Sequence, residues 1–241
     1  MTDVVLFDLD GTLSDPKIGI TQSIQYALSV LNLPVPKEDD LTWCIGPPLR
    51  QSFSTLLQTS DSASLDRALN LYRDRFARIG LFENTLYPEI PDLLQTLHGT
   101  GYKCIVATSK PRVFAKRIIE HFQLATLFDG IYGSELDGTR SDKGELLHHI
   151  IQLEQLSPQT AVMVGDRKHD IIGAKCHNLT TIGVTYGYGT ADELIAHGAD
   201  YLAHKPTDIL TLLAKASSRK GFRQSSEGPS EYPSDRSFYD K

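Results

Sequence analysis

Two carboxylates stand two residues apart in Asp8-Leu9-Asp10-Gly11-Thr12, directly after the apolar run Val4-Val5-Leu6-Phe7. In an extended segment, side chains at i and i+2 point the same way, so both carboxylates can serve one site, and Gly11 lets the backbone turn sharply beside a ligand. A capping aspartate and a turn aspartate would explain the pair taken alone. Further polar groups argue for chemistry instead. Thr108-Ser109-Lys110-Pro111 and Gly165-Asp166-Arg167-Lys168-His169-Asp170 each close an apolar run, and Lys143 opens a helix after another. Carboxylates about 4 Å apart repel by roughly 4 kcal/mol per pair at an effective dielectric of about 20, so Asp8, Asp10, Asp166 and Asp170 cannot all ionise together unaided. A small hard cation that takes oxygen ligands and keeps several waters, Mg²⁺, is the natural counter-charge. Lys143 and the Thr108 hydroxyl can then serve phosphoryl oxygens.

The elements that must position these groups are legible from periodicity. Val4–Phe7 reads as a central parallel strand buried on both faces. From Pro16 to Gly80 the spacing is helical: Ile20, Ile24, Ala27, Leu28 and Leu31 form one stripe, and Leu65, Ala68, Leu69, Tyr72 and Phe76 another. From Tyr87 onward helices (89–98, 112–122, 143–154, 168–177, 191–197, 206–215) alternate with strands (103–107, 130–132, 160–164, 180–184, 201–203). Such alternation predicts an α/β fold, a parallel sheet with helices on both faces. In such sheets ligands bind outside the carboxyl ends of the strands, which is where the polar segments fall. The helical stretch is inserted after the first strand and would cover that end. The predicted division is a core of 1–15 and 85–215, a helical cap of 16–84, and a disordered tail of 216–241, rich in Ser, Gly, Pro and charge.

Asp8-x-Asp10-Gly11-Thr12, the strand-end Thr108, Lys143 and Gly165-Asp166-x-x-x-Asp170 resemble, in order, the four motifs of the haloacid dehalogenase-like (HAD) hydrolases. The resemblance covers roughly 3–215. It implies a Rossmann-like core with the first and fourth strands adjacent, an inserted α-helical cap, and Mg²⁺ dependence. Carried over, Asp8 is the nucleophile that becomes an aspartyl-phosphate, and Asp10 is the acid that protonates the leaving oxygen and then the base that activates water. Asp8, the Asp10 backbone carbonyl and Asp166 are the implied metal ligands, with Asp170 supporting them. Gly11, Thr108, Ser109 and Lys143 are the implied phosphate-binding residues. An aspartate at position 10 favours phosphate-ester chemistry, because relatives that cleave carbon–halogen or carbon–phosphorus bonds lack it. The cap selects the leaving group. There Gly46-Pro47-Pro48-Leu49 fixes a turn before a helix whose first turn carries Arg50, a candidate substrate contact. This segment, Phe82-Glu83-Asn84-Thr85-Leu86-Tyr87-Pro88, and Gly133–Arg140 are similar to the phosphoglycolate-phosphatase-like branch, particularly its 5′-nucleotidases.

The implied function is Mg²⁺-dependent hydrolysis of a small phosphorylated metabolite, phosphoglycolate or a nucleoside 5′-monophosphate. A sugar phosphomutase and a non-catalytic regulatory protein of the same fold are the alternatives. Composition bounds the partners. A net charge of −6 with scattered basic residues gives no general attraction for a nucleic-acid polymer. No apolar run spans a bilayer. Cys44, Cys104 and Cys176 form no Cys-x-x-Cys pair, which indicates neither a disulfide framework nor a zinc site. A cytoplasmic monomer or homodimer is expected.

Overall fold

The computed structural model describes residues 3–224. β1 (Val4–Phe7) is buried along its whole length and lies inside the sheet. The chain then passes through β2 (Ser14–Asp15) into a helical block: α1 (Lys17–Val30), a 3₁₀ turn at Asp39–Cys44, α2 (Leu49–Leu57) and α3 (Ser62–Arg75), which winds on into a π turn at Phe76–Gly80. It returns through β3 (Thr85–Leu86), antiparallel to β2, with Ser14 opposite Leu86 and Asp15 opposite Thr85. Entry and exit of the helical block are thereby hydrogen-bonded side by side. Helices and strands then alternate: α4 (Ile90–Gly99), β4 (Lys103–Pro111), α5 (Arg112–His121), β5 (Gly130–Ser134), α6 (Lys143–Leu153), β6 (Ala161–Gly165), α7 (Lys168–Lys175), β7 (Thr180–Val184), α8 (Ala191–Ala196), β8 (Tyr201–Ala203) and α9 (Asp208–Gln224).

Six strands make one parallel sheet in the order β5-β4-β1-β6-β7-β8, the Rossmann-like α/β arrangement that the sequence predicts. The two-residue period of β1 divides its side chains between two cores. Val5 and Phe7 join a cluster with Leu94 of α4, Ile118 of α5 and Ile209 of α9. Val4 and Leu6 join Leu146, Leu147 and Ile150 of α6 and Ala174 of α7. The same parity sends the next even residue, Asp8, toward α6 and α7, whose first turns carry Lys143 and Asp170.

Two boundaries differ from the sequence reading in ways that matter. β4 continues past Ala107 to Pro111, and its register against β5 shifts between Thr108 and Pro111. Such a bulge re-aims side chains, and Ser109 and Lys110 occupy it. The predicted tail also begins too early. α9 continues to Gln224, so 216–224 are helical. Ile209, Leu213 and Ala216 extend one buried stripe at helical spacing, which carries the helix past the polar residues that read as tail. The remainder of the predicted tail, 225–241, lies outside the described residues. No described helix is long and apolar enough to cross a membrane.

The helical block is braced at its base. Arg75 forms a two-pronged pair with Glu83, at 2.8 and 3.0 Å, and also donates to Gln22 and Ser23 of α1. Nearby, α1 and the π turn meet backbone to backbone: a Cβ at Gly19 would lie 2.0 Å from the Gly80 carbonyl oxygen. Gly→Ala within a helix gains about 1 kcal/mol in propensity, but overpacking against a rigid backbone costs typically 1–3 kcal/mol. Gly19→Ala is therefore expected to lower the denaturant midpoint, the opposite of the propensity effect. A raised midpoint would show that the two segments can separate freely.

Candidate active site

The carboxylates and the lysine picked out from the sequence converge at the carboxyl end of the sheet. Asp8 follows β1, Asp166 follows β6, Asp170 lies in the first turn of α7 and Lys143 opens α6, and all four are buried. The Lys143 ammonium sits 3.1 Å from Asp8 Oδ1 and 2.7 Å from Asp170 Oδ1, and it donates to the Ala107 carbonyl at 2.8 Å. This close approach of α6 and α7 depends on Gly173, where a Cβ would fall 2.9 Å from both Gly144 N and Lys143 Cγ. Thr108 is buried, and its hydroxyl accepts from the Lys110 amide at 3.3 Å. Ser109 accepts at its carbonyl from the Ser134 hydroxyl.

Asp8, Asp166 and Asp170 each offer an oxygen within 4.8 Å of the others. Their electrostatics are unbalanced. Burial, reinforced by Asp170 and Asp8, holds the Asp166 carboxyl well above its ordinary range. Burial pushes Asp170 up to about 6 against the pull of Lys143. Burial alone would lower Lys143, and the attraction of Asp170 and Asp8 more than reverses it. An all-oxygen donor set with excess negative charge suits a hard divalent cation. Asp170 is thus more closely joined to the cluster than its supporting place in the motif suggests. Its other oxygen, Oδ2, accepts from the Arg167 amide at 3.0 Å.

Asp10 stands apart from that group. Its Oδ2 pairs with Lys110 at 2.7 Å, while Oδ1 is buried without a hydrogen-bond partner among the described residues. Burial raises the Asp10 carboxyl despite the opposing pull of Lys110. Beside Asp10 opens a cavity of about 380 Å³ between the helical block and the sheet end, lined by Tyr72, Phe76, Phe114, Leu69 and Lys110 among others. Arg50 also lines it, in the first turn of α2 as expected, but its guanidinium is engaged by Asp66 and Ser62 of the neighbouring helix.

Residue types leave three contributors without a role, although the third, Tyr186-Gly187-Tyr188-Gly189, reads from the sequence as a loop near the crevice. Lys110 lies in the strand-end segment Thr108-Ser109-Lys110-Pro111, where residue type alone gives it no role. Arg167 donates to the Ile45 carbonyl at 2.6 Å, fastening the Gly46-Pro47-Pro48 loop to the residue after Asp166, and is itself held by Glu193. The Tyr186-Gly187-Tyr188-Gly189 loop wraps the cluster: Tyr188 N donates to Asp166 Oδ2 at 2.7 Å, Tyr186 OH to the Thr12 carbonyl, and Tyr188 OH to Asp15. The signal is present as two glycines alternating with two tyrosines just after a strand. A Cβ at Gly187 would fall 2.2 Å from Gly11 O and 2.5 Å from Asp166 Cβ. Gly11 itself has φ +82° and packs against the Asp166 carboxylate, so it serves both the turn and the close approach.

Residues 5–184 match the family profile of the haloacid dehalogenase-like hydrolases. The chain belongs to that family. It is 49% identical over 195 residues to a 5′-nucleotidase of Pseudomonas aeruginosa, covering 80% of this chain and 87% of the relative. It is 37% identical over 204 residues to the tyrosine-protein kinase PtkA of Mycobacterium tuberculosis, covering 85% and 69% respectively. The crystal structure of a predicted phosphatase from Clostridium acetobutylicum superposes with a TM-score of 0.86 at 41% identity, covering 89% of this chain and 99% of that one.

HAD phosphatases generally use a divalent metal, and the buried aspartates suit one. Groups that orient metal ligands typically contribute 10–100-fold in affinity. Gly187→Ala, which forces the tyrosine loop off Asp166, should accordingly weaken divalent-cation binding about tenfold or more in calorimetric titration. Unchanged affinity would show that the loop does not orient Asp166.

Proposed function

We propose that this hydrolase is a Mg²⁺-dependent phosphomonoesterase that acts on a small phosphorylated metabolite through an aspartyl-phosphate, with 16–84 acting as a cap over a core of 1–15 and 85 onward. The observation that carries the reading is the division of labour between two aspartates at one strand end. Asp8 joins the Lys143–Asp166–Asp170 cluster, whereas Asp10 faces the cavity with one oxygen unengaged.

The chemistry follows from that arrangement. Asp8 attacks phosphorus, the bond to the ester oxygen breaks, and Asp10 gives that oxygen its proton. Asp10 then takes a proton from the water that displaces Asp8 from the phosphoryl group, releasing phosphate and restoring both carboxyls. Lys143 holds Asp8 in place and lends charge to the phosphoryl oxygens, which Gly11, Thr108 and Ser109 also bind. Asp8, Asp166 and the Asp10 carbonyl would hold Mg²⁺, with Asp170 supporting. Bound there, the cation neutralises the repulsion between the carboxylates and the substrate's phosphate.

The cap supports a nucleoside 5′-monophosphate ahead of phosphoglycolate. A cavity of about 380 Å³ with Tyr72 and Phe76 stacked 5.3 Å apart and Phe114 edge-on to Phe76 offers planar apolar walls. Such space suits a nucleoside rather than a two-carbon acid. The name of the Pseudomonas relative agrees. Arg50 would meet the distal part of the leaving group after exchanging its contact with Asp66.

Asp8→Asn should reduce hydrolysis of p-nitrophenyl phosphate at least a thousandfold while leaving the melting temperature within a few degrees; retained turnover would refute the covalent step. Chelation should abolish activity and added Mg²⁺ restore it, whereas a rate indifferent to chelator would remove the metal. In a substrate screen with phosphate release as readout, kcat/KM for nucleoside 5′-monophosphates should exceed that for phosphoglycolate at least tenfold. Isomerised sugar phosphate without free phosphate would instead establish a mutase. Phosphotyrosine formed on an added protein would establish the reaction that the mycobacterial relative's name carries.

A further inference from the structure

Among the described residues, Lys110 is the one cation that touches both the carboxylate end of the sheet and the aromatic wall of the cavity. It lies in the β4 bulge between Thr108 and Pro111. The bulge is accommodated by Gly133 on β5, where a Cβ would fall 2.4 Å from the Lys110 carbonyl oxygen. Its side chain is only 5% exposed, with the ammonium 2.7 Å from Asp10 Oδ2 and 4.6 Å from the centre of the Phe76 ring. Ordering a lysine in so dry a position costs side-chain entropy and desolvation, offset here by an ion pair on one side and an aromatic face on the other. Among the described residues, no other hydrogen bond or ion pair reaches the Asp10 carboxylate. With Oδ2 held by Lys110, Oδ1 is left buried and without a hydrogen-bond partner, in a residue that lines the cavity.

We propose that Lys110 is a positioning residue that holds the Asp10 carboxyl aimed at the leaving oxygen, and that Phe76 ties this orientation to the helical block. The proposal rests on the phosphomonoesterase reading, in which Asp10 serves the leaving group. It assigns Lys110 a part distinct from that of Lys143. Lys143 organises Asp8 and Asp170, while Lys110 touches neither and acts through Asp10.

The readout that separates positioning from mere structural support is the dependence of kcat/KM on leaving-group acidity. Substituted phenyl phosphates differ little in size, but p-nitrophenolate departs readily without a proton, whereas phenolate benefits from one. Lys110→Met keeps the aliphatic stem and removes the charge; Lys110→Gln serves if the methionine variant does not fold. The ratio between two substrates within one preparation does not depend on the fraction of active protein. The expected result is a loss for phenyl phosphate at least tenfold greater than for p-nitrophenyl phosphate, seen across the series as a steeper dependence on leaving-group acidity. Equal losses across the series, or none, would overturn the positioning role. Wild-type protein that hydrolyses no member of the series would overturn the phosphomonoesterase reading itself, and this proposal with it.

Discussion

Four carboxylates, Asp8, Asp10, Asp166 and Asp170, are buried at one end of the sheet with two lysine ammonium groups against them. At short range in a medium of low polarity, that imbalance costs several kcal/mol unless geometry and a further cation relieve it. Much of the surrounding structure answers to it. Lys143 draws together Asp8 after β1, Asp170 on α7 and the Ala107 carbonyl on β4, linking three elements far apart in sequence. The strand order makes this possible, because β1 lies between β4 and β6 and their carboxyl ends fall side by side. Glycines at positions 11, 173, 187 and 189 remove the side chains that would hold those segments apart.

The helical block meets this charged end through discrete polar clasps. Arg167 reaches the Ile45 carbonyl from the core side, and Arg73 reaches the Leu136 carbonyl at 2.6 Å from the block side. Between them lies the cavity. Arginine suits such contacts because its donors are fixed in a plane and stay charged. Since the bonds end on backbone carbonyls, the loops around Gly46 and Leu136 can vary in side chain without losing the closure, which leaves the cavity wall free to differ in what it accepts. Tyr188 adds a link of another kind, from Asp166 to Asp15 at the entrance to the block.

The parallel sheet was legible because its buried strands are short β-branched or apolar runs separated by helix-period segments. The four polar strand ends were legible because aspartate, threonine and lysine rarely close a buried strand without a task. Lys110 escaped notice because its role depends on a bulge, a departure from ladder register that residue types do not announce. The tyrosine loop is legible as a loop near the crevice but its contacts are not, because they run to Thr12, Asp15 and Asp166, which lie 174, 173 and 22 residues away along the chain. The end of α9 was misplaced because serine and charge dominate its last turns, while the apolar stripe that holds it is sparse.

Local composition by itself determined the α/β class, the inserted helical block, and which carboxylates and lysine could do chemistry, since periodicity and strand-end polarity are properties of neighbouring residues. Tertiary structure alone decided which carboxylate joins the Lys143–Asp166–Asp170 cluster and which lines the cavity. It also decided that Arg50 is engaged by Asp66 and that Lys110 is the partner of Asp10. Those are questions of direction and distance between segments far apart in the chain, and they are settled only when strand order, a bulge and close glycine contacts bring the segments together.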